Sequence, residues 1–314
     1  MKKICLVGAG RVGESAAQIL AKEELCQELV LIDTREGAAQ GTALDLAECA
    51  PLFGFDTQIR GSTDLGAMVD ADLIVVSAGL PRKPGMSRAD VLDVNAPIIG
   101  AIATQASALA PHALLIIVTN PVDVLTHIAW LQSGFDRNRV FGLSGTLDAA
   151  RMAGFIAAET GLSVRDVRAL VIGGHGDTMV PLTHYSTISG IPISEFLDAD
   201  AIDRVVNRTR GGGAEILALK KTSSAYDAPG AAIAAMIDAV VHNRRRLLPC
   251  VCVLDGEYGE SKVSMGVPAV IGAQGIERIV ELPLNPDEQR QMRESAAAIR
   301  EDLAHAIAPR VAGR

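Results

Sequence analysis

The sequence predicts an α/β protein in which a doubly wound parallel sheet is followed by an α+β domain. In the first half, short apolar runs bounded by Gly, Pro or Asp alternate with stretches of helical spacing, which is typical of alternating strands and helices. The runs are apolar on both faces, as in a parallel sheet that helices cover on both sides. The predicted strands are residues 3–7, 29–33, 73–77 and 114–119, and the predicted helices are residues 12–21, 41–49 and 87–110.

The pattern changes after Phe141-Gly142. Predicted helices follow at residues 147–160, 200–218, 231–243 and 287–307, with strands at residues 167–172, 248–254 and 269–271. We therefore place the domain boundary at residue 143, which gives domains of residues 1–143 and 144–314.

Two local sequences bear on where helices begin and whether they break. Asn120-Pro121 is predicted to begin a helix, with Asn120 as the N-cap and Pro121 at the first helical position. Gly211-Gly212-Gly213 lies inside a helical pattern and fits either a break or a point of close packing.

Composition narrows the class of protein. Hydrophobic residues make up 49% of the 314 residues, so a large core is available. A net charge of −8 argues against nucleic acid as a partner, because phosphate binding needs a basic face. The five cysteines form no CxxC pair, the six histidines are dispersed, and no run of 18 apolar residues occurs. These features predict a cytoplasmic protein without a metal site or a membrane span.

The segment GAGRVG, from Gly8 to Gly13, matches the GxGxxG pattern of dinucleotide-binding loops. It lies between a predicted strand and a predicted helix, and Gly13 stands 20 residues before Asp33, which ends the next predicted strand. Gly8 permits the tight turn, Gly10 lets the backbone approach a pyrophosphate, and Gly13 allows close helix–sheet packing. The Asp33 carboxylate would accept hydrogen bonds from a ribose and repel a 2′-phosphate. The sequence therefore predicts a Rossmann domain that binds NAD rather than NADP.

The segment GGHGD, residues 173–177, places His175 in a glycine-rich loop after an apolar run. Histidine titrates near neutral pH, so it is a candidate proton partner for hydride chemistry. Asp148 and Arg151 are three residues apart in a predicted helix and share one of its faces. Taken alone, that pair also fits an ordinary ion pair on the surface.

The segment GLPRKPGMSR, residues 79–88, follows the predicted strand 73–77. It carries Arg82, Lys83 and Arg88 at the edge of the sheet where such folds bind ligands. Its prolines and glycines predict a loop. This loop fits either a solvated basic segment or a mobile lid that brings arginines to an anionic substrate.

Six motifs occur in one order along the chain: GAGRVG, LID ending at Asp33, AGLPRKPGMSR, VTNPVD, LSGTLDAAR and GGHGD. Together they resemble the lactate/malate dehydrogenase family, in particular its lactate-dehydrogenase-like malate dehydrogenases. The resemblance covers essentially the whole chain. It implies an NAD-dependent oxidoreductase that moves a hydride to and from a small 2-hydroxy acid.

The resemblance also implies a role for each matching position. His175 would be the proton donor and acceptor, with Asp148 as its paired carboxylate, and Arg151 would bind the C1 carboxylate of the substrate. Arg88 would polarise the keto oxygen, and Asn120 would contact both substrate and cofactor. The implied cofactor-binding residues are Gly8, Ala9, Gly10, Arg11, Val12, Gly13, Asp33, Asn95, Val118, Thr119 and Asn120.

The resemblance places the choice of substrate at Arg82, where members acting on lactate generally carry glutamine and those acting on malate carry arginine. A second carboxylate that is taken out of water needs a partner, because leaving one charge of a buried pair unpaired costs about 3–5 kcal/mol. The implied reaction is therefore the interconversion of (S)-malate and oxaloacetate, a step of the tricarboxylic acid cycle. Lys83 is an alternative carrier of that charge, but it lacks the planar fork of arginine.

Two other functions fit parts of the pattern: a lactate or broad 2-hydroxy acid dehydrogenase, and a non-catalytic NAD-binding module. The presence of Asp148, Arg151 and His175 together disfavours the module. Because the family forms dimers and tetramers, we expect a homodimer or homotetramer. Asp227, an additional acid near the predicted pocket, is expected to point away from an anionic substrate.

Overall fold

The computed structural model describes residues 1–81 and 86–307. Within that part the strands are, in chain order, β1 (Lys3–Val7), β2 (Glu28–Ile32), β3 (Gln58–Ser62), β4 (Leu73–Val76), β5 (Leu114–Ile117), β6 (Val140–Gly142), β7 (Val167–Arg168), β8 (Val171–Gly173), β9 (Met179–Pro181), β10 (Thr187–Ile188), β11 (Ile191–Pro192), β12 (Arg246–Asp255), β13 (Ser261–Gly272) and β14 (Gly275–Ile279). The α-helices are α1 (Arg11–Lys22), α2 (Ala38–Glu48), α3 (Ala50–Phe53), α4 (Arg88–Leu109), α5 (Val122–Ser133), α6 (Gly145–Thr160), α7 (Ala199–Lys220), α8 (Asp227–Val241) and α9 (Pro286–Ile307).

The strands of the first half form the predicted parallel sheet. Its order is β3-β2-β1-β4-β5-β6, and every neighbouring pair is parallel. The order of strands reverses between β1 and β4, and open α/β sheets bind ligands beyond the carboxyl ends of the strands at such a reversal. The fold therefore places the end of β1, with Gly8, at the expected ligand-binding edge.

The strands of the second half extend the same sheet in antiparallel fashion. β12 pairs with β6, and β13, β8 and β9 follow in that order, with β14 also paired to β13. A separate small sheet joins β7, β10 and β11. The sheet thus carries the His175 loop, which follows β8, toward the ligand-binding edge of the parallel strands.

The core lies on both faces of the central strands. Every residue of β1, β4 and β5 is buried, which explains why these strands read as continuous apolar runs. Helix α8 of the second half packs on α1 of the first, and a Cβ on Gly230 would lie 2.9 Å from the backbone nitrogen of Ala16. A glycine is needed at this crossing, because any side chain there would force the two helices apart.

The predicted start of helix α5 is wrong by one residue. The Asn120–Pro121 peptide bond is cis, Pro121 occupies the N-cap position, and the helix begins at Val122. The hydrogen bonds of the two backbone carbonyls explain why the helix does not start one residue earlier. The first bond of the helix runs from the Leu125 amide to the Pro121 carbonyl at 3.0 Å, whereas the Asn120 carbonyl accepts a bond from the side chain of Asn95.

The glycine triplet lies inside an unbroken helix, α7, so the alternative of a break is wrong. Close packing holds for Gly212 alone among the three, since a Cβ there would lie 3.3 Å from Cδ of Arg151. Strands β3, β6, β9, β10, β11 and β14 and the short helix α3 were not predicted, and β13 is longer than the predicted segment 269–271. The side chain of Asp227 is 78% exposed and lies 3.8 Å from Nζ of Lys220, and its orientation relative to a bound substrate stays a prediction. None of the helices in the described residues is long and apolar enough to span a bilayer.

Candidate active site

The glycine-rich turn after β1 has the geometry that a dinucleotide phosphate requires. Gly8 has a φ of +114°, and a Cβ there would lie 2.6 Å from the backbone nitrogen of Ala78 on the neighbouring chain segment. A Cβ on Gly13 would collide with the Gly8 carbonyl oxygen, so α1 can approach the turn only with glycine at that position. Apart from Gly10 itself, its chain neighbours and the nearby backbone of its own helix, no heavy atom of the described residues lies within 4 Å of a Cβ built on Gly10, which leaves room for a ligand beside the helix N-terminus.

Arg11 and Val12, which open helix α1, contact different parts of the protein. Val12 is half-buried against the core. Arg11 is exposed, and its guanidinium carbon lies 5.3 Å from the centre of the Tyr226 ring just before α8. The N-terminus of α1 is thus framed by a residue of the second half of the chain.

Asp33 follows β2 and faces the turn. Its Oδ2 accepts a hydrogen bond from the Ala9 amide at 3.0 Å, and its Oδ1 accepts bonds from the Arg35 amide and Nε at 2.9 and 3.0 Å. Arg35 also donates to the Ala9 carbonyl at 3.3 Å, so it spans the turn. The hydrogen bonds from the Arg35 side chain hold the pKa of Asp33 below its usual range, against the opposing effect of burial. Asp33 is therefore an ionised acceptor, as a ribose partner must be.

Asn95 connects the segments on the other side of the cleft. It is 1% exposed, its Oδ1 accepts from the Leu80 amide at 2.7 Å, and its Nδ2 donates to the carbonyls of Leu80 and Asn120 at 3.1 and 2.9 Å. Both hydrogens of the Asn95 side-chain amide are donated to backbone carbonyls, so Asn95 contributes to the cleft by holding the backbone of Leu80 and Asn120 in place.

The residues after β5 are held against β4. The Val118 amide donates to the Val76 carbonyl at 2.9 Å, and the Thr119 hydroxyl donates to the Ala78 carbonyl at 2.7 Å. Asn120, next in the chain, is exposed. This segment therefore presents the Asn120 side chain from a fixed backbone at the end of the sheet.

Asp148 joins Arg151 and His175. Its Oδ1 lies 3.0 Å from Nη1 of Arg151, and its Oδ2 lies 2.8 Å from Nδ1 of His175. The Asp148 side chain is 2% exposed, while those of Arg151 and His175 are 13% and 16% exposed. The pair on α6 is therefore a buried bridge to the histidine and not an ordinary surface ion pair.

The contact with Asp148 decides the state of the imidazole. A carboxylate only accepts hydrogen bonds, so Nδ1 carries a proton and Nε2 is the ring atom that can exchange a proton with a ligand. Burial lowers the pKa of His175. The charge of Asp148, the hydrogen bond to it and the charge of Asp123 outweigh burial, so the pKa lies above its ordinary value although Arg151 opposes the rise. The protonated imidazole is thus stabilised relative to that of an ordinary histidine.

Gly212 of α7 lies beside the Arg151 side chain. A Cβ on Gly212 would lie 3.3 Å from Cδ of Arg151. The Arg151 Nε is buried and has no hydrogen-bond partner within residues 1–81 and 86–307. The guanidinium therefore keeps donors that an anionic ligand could use.

Sequence reasoning did not single out Asp123 and Ser295, which hold the histidine loop. Asp123, at the start of α5, accepts a hydrogen bond from the backbone amide of His175 at 2.8 Å through its Oδ2. Ser295 of α9 accepts one from the Gly174 amide at 2.7 Å through its hydroxyl. Asp123 belongs to the motif VTNPVD, but nothing in the sequence indicates that it meets a residue 52 positions away.

Burial raises the pKa of Asp123 to about 6, and the hydrogen bond and charge of His175 lower it only in part. Its Oδ1 is buried and has no partner among the described residues. The acid is therefore ionised at neutral pH at a cost in solvation.

Two predicted site residues are not placed. Arg82 lies outside the described residues, as does Lys83, and with them most of the segment between Leu80 and Ser87. Arg88 is the first residue of α4, which begins with a capping box between Ser87 and Asp90, but its side chain is also outside the described part. The contacts of these arginines with a substrate remain predictions.

Comparison with known proteins gives matches along nearly the whole chain. Residues 2–142 match the family model described as "lactate/malate dehydrogenase, NAD binding domain", and residues 145–309 match that described as "lactate/malate dehydrogenase, alpha/beta C-terminal domain". A curated malate dehydrogenase of Nitrosococcus oceani is 62% identical over 305 residues, which cover 97% of this chain and 98% of that protein.

Solved structures of the same fold include enzymes named for both substrates. Malate dehydrogenase from Salinibacter ruber matches with a TM-score of 0.92 and 42% identity, over 96% of this chain and 97% of that one. Lactate dehydrogenase from Cryptosporidium parvum, solved with lactic acid and nicotinamide adenine dinucleotide, matches with a TM-score of 0.94 and 35% identity, over 98% and 99%.

The six motifs, the sheet order and the bridge from Arg151 to His175 are thus found together with two family models that jointly span the chain. The chain belongs to the lactate/malate dehydrogenase family, and residues 2–142 are its NAD-binding domain.

Proposed function

We propose that this chain is an NAD-dependent malate dehydrogenase that interconverts (S)-malate and oxaloacetate. The observation that carries the proposal is the Asp148 carboxylate, which binds a guanidinium and an imidazole at 3.0 and 2.8 Å. It places a group that can bind a carboxylate beside a group that can exchange a proton. A 2-keto acid carries a carboxylate, which needs a cation, and a keto oxygen, which needs a proton donor, on adjacent carbon atoms. The name shared by the curated relatives supports malate as the hydroxy acid.

The residues around the turn fit the cofactor. Gly8, Gly10 and Gly13 provide the turn and the open approach to α1, and Asp33 provides the ionised acceptor. The negative charge of Asp33 disfavours a 2′-phosphate, which supports NAD over NADP. The bound cofactor supplies or accepts the hydride.

His175 handles the proton. In the direction of reduction, its protonated imidazole donates from Nε2 to the keto oxygen, and in the direction of oxidation the neutral ring takes the hydroxyl proton. Asp148 stabilises the imidazolium and orients the ring, since it holds the opposite nitrogen. Arg151 fixes the C1 carboxylate through a two-point contact, which orients the reacting carbon. Arg88 polarises the keto oxygen, and Asn120 contacts both ligands.

Arg82 selects the dicarboxylate, and its charge would pair with the second carboxylate of oxaloacetate. The second candidate function, lactate dehydrogenase, is favoured by one observation, the strong structural match to an enzyme solved with lactic acid. That enzyme is 35% identical to this chain, whereas the curated malate dehydrogenase is 62% identical.

A spectrophotometric assay separates these functions. Purified protein is mixed with NADH and either oxaloacetate or pyruvate, and a parallel series uses NADPH. We expect rapid oxidation of NADH with oxaloacetate and slow oxidation with pyruvate or with NADPH. Equal or faster turnover of pyruvate would favour the lactate reaction, and no turnover of either acid would favour the non-catalytic module.

Further proposals concern organisation. We propose a boundary between an NAD-binding domain, residues 1–143, and a substrate domain, residues 144–314.

We propose a homodimer or homotetramer, because the surface carries exposed apolar side chains such as Leu44, Leu52 and Phe53 on α2 and α3. We also propose the cytoplasm as the location, since all five cysteines are free and four are buried, and the tricarboxylic acid cycle as the pathway.

A further inference from the structure

Asp123 is in an unusual position for an acid. It is the second residue of α5, three residues after Asn120, and it is 5% exposed. Its Oδ2 accepts the backbone N–H of His175 at 2.8 Å. The contact therefore joins the helix that follows the cofactor-side segment to the loop that carries the proton-transferring histidine.

Holding this loop does not by itself require a charge. The adjacent amide, that of Gly174, is held equally well by the neutral hydroxyl of Ser295 at 2.7 Å. A buried carboxylate loses more solvation than a buried hydroxyl, so Asp123 is the costlier group for the same task. The presence of an acid at this position needs a further reason.

The charges around His175 supply that reason. The charged groups that face it are Asp148 and Arg151 from α6 and Asp123 from α5, while α9 contributes the neutral Ser295. Asp148 is already shared between Arg151 and His175. One carboxylate cannot balance two cations, but two carboxylates can. With Asp123 ionised and His175 protonated, the group of four side chains is electrically neutral.

We propose that Asp123 is a positioning residue for the reaction: its carboxylate fixes the backbone of His175 and supplies the second negative charge that keeps the imidazole protonated. The inference rests on the proposed function, because a protonated imidazole is needed to reduce a keto acid. It assigns to α5 a link between the cofactor side of the cleft and the proton donor. Asp123 itself touches no reacting atom in this scheme.

The direct test is an NMR titration of His175 in the intact protein with labelled histidine, using the loss of one signal in His175→Asn for assignment. Asp123→Asn preserves the size of the side chain and an acceptor oxygen but removes the charge. We expect it to lower the titration midpoint of His175 by about one pH unit. Asp177→Asn is the matched control, because Asp177 is an exposed carboxylate two residues from His175, and it should leave the midpoint unchanged. An equal midpoint in the wild type and Asp123→Asn would overturn the proposal.

A kinetic measurement adds the functional consequence. The kcat/KM for oxaloacetate should fall as pH rises through the pKa of His175, and in Asp123→Asn this fall should begin about one pH unit lower, with an unchanged Kd for NADH. Absence of oxaloacetate reduction by the wild type would refute the proposed function, while the NMR titration would still decide the role of Asp123.

If Asp123→Asn does not fold, Asp123→Ser is the alternative variant. It places at residue 123 a neutral hydroxyl, the same kind of group with which Ser295 holds Gly174, and it should give the same lower midpoint for His175. Should both variants fail, hydrogen exchange of the His175 amide in the wild type decides. A strongly protected amide supports the contact, and exchange as fast as that of the exposed Asp177 amide would overturn it.

Discussion

Gly212 of α7 lies against Arg151 of α6, and a Cβ on Gly212 would be 3.3 Å from Cδ of that arginine. The helix continues without a break through the glycine triplet, so the small residue serves the neighbouring side chain and not a turn. A methyl group there would displace the Arg151 stem by a few tenths of an ångström. We expect Gly212→Ala to raise the KM for oxaloacetate about tenfold, because a charge-assisted contact is weakened.

Gly211→Ala and Gly213→Ala are the matched controls for that prediction, since a Cβ at either position would have no described atom within 4 Å other than its chain neighbours and the backbone of its own helix. Each should leave KM unchanged and stabilise α7 by about 0.5–1 kcal/mol, as alanine does in a helix. Steady-state kinetics and thermal unfolding measure the two effects. An unaltered KM in Gly212→Ala would contradict the proposed use of Arg151.

Removal of either member of the His175–Asp148 pair should abolish most turnover. His175→Asn removes the proton donor, and Asp148→Asn replaces one of two acceptor oxygens that now hold both His175 and Arg151. We expect kcat to fall about 10²–10⁴-fold in each variant. Binding of NADH, followed by its fluorescence, should stay within error of the wild type. Normal turnover in His175→Asn would refute the acid–base role.

Arg82→Gln should shift the substrate preference from oxaloacetate toward pyruvate. Loss of a buried charge pair costs about 3–5 kcal/mol, which corresponds to a change of about 10²–10⁴-fold in the ratio of kcat/KM values. Lys83→Gln is the control for a neighbouring cation, and we expect a much smaller change from it. Unchanged kinetics with oxaloacetate in Arg82→Gln, or a larger effect from Lys83→Gln, would move the specificity role away from Arg82.

Arg35 forms an ion pair with the Asp33 carboxylate, which the cofactor ribose would need as its hydrogen-bond acceptor. Its side chain is 66% exposed, so the ion pair is weak and a ligand can displace it. Arg35→Ala should lower the Kd for NADH by about two- to fivefold, because the ribose no longer competes with a guanidinium. Arg60→Ala removes a comparably exposed cation that pairs with Glu28, away from the turn, and should leave the Kd unchanged. Weaker binding after Arg35→Ala would mean that Arg35 contacts the cofactor itself.

Asp123 should make the fold sensitive to pH. Its pKa is about 6 in the folded protein, above the usual 3.8, so the folded state binds the proton more tightly than the unfolded chain. The stabilisation from this group is complete below the unfolded pKa and is lost as pH rises through 6. The total loss is about 3 kcal/mol, of which about 1.5 kcal/mol falls between pH 5 and pH 8.

The variant Asp123→Asn removes this ionisation and, as proposed above, also lowers the pKa of His175. Both changes act in the same direction, so its free energy of unfolding in urea, relative to that of the wild type, should rise by at least about 1.5 kcal/mol from pH 5 to pH 8. A difference between the two proteins that is constant across this range would show that the folded state does not disfavour the ionised acid.

Much of the fold follows from local patterns. β1 begins and ends at the predicted residues, and β4 and β5 start at Leu73 and Leu114 as predicted, because a strand buried on both faces is a continuous apolar run. β3 escaped prediction because it lies at the edge of the sheet, and its exposed Gln58 and Arg60 interrupt the apolar pattern.

In the candidate site, too, the parts that are local in sequence could be predicted. Asp148 and Arg151 are one helical turn apart, and the residues of the glycine turn are contiguous, so their spacing in the sequence was enough to predict that they lie together. The bonds that hold His175 and Gly174 come from α5 and α9, and only tertiary packing brings these helices to the loop. The sequence-based N-cap at Asn120 was wrong for the same reason, because a distant side chain, that of Asn95, takes the Asn120 carbonyl.

The amide of Asn95 has one more consequence. The Asn95 side chain binds the backbone of Leu80, and Asn95 lies on α4, the helix that begins after the capping box at Ser87. The segment that contains Arg82 is therefore attached to the same helix, α4, at both of its ends. If this segment selects the substrate as proposed, changes in its length or charge would alter the preferred hydroxy acid without disturbing either attachment or the cofactor-binding half.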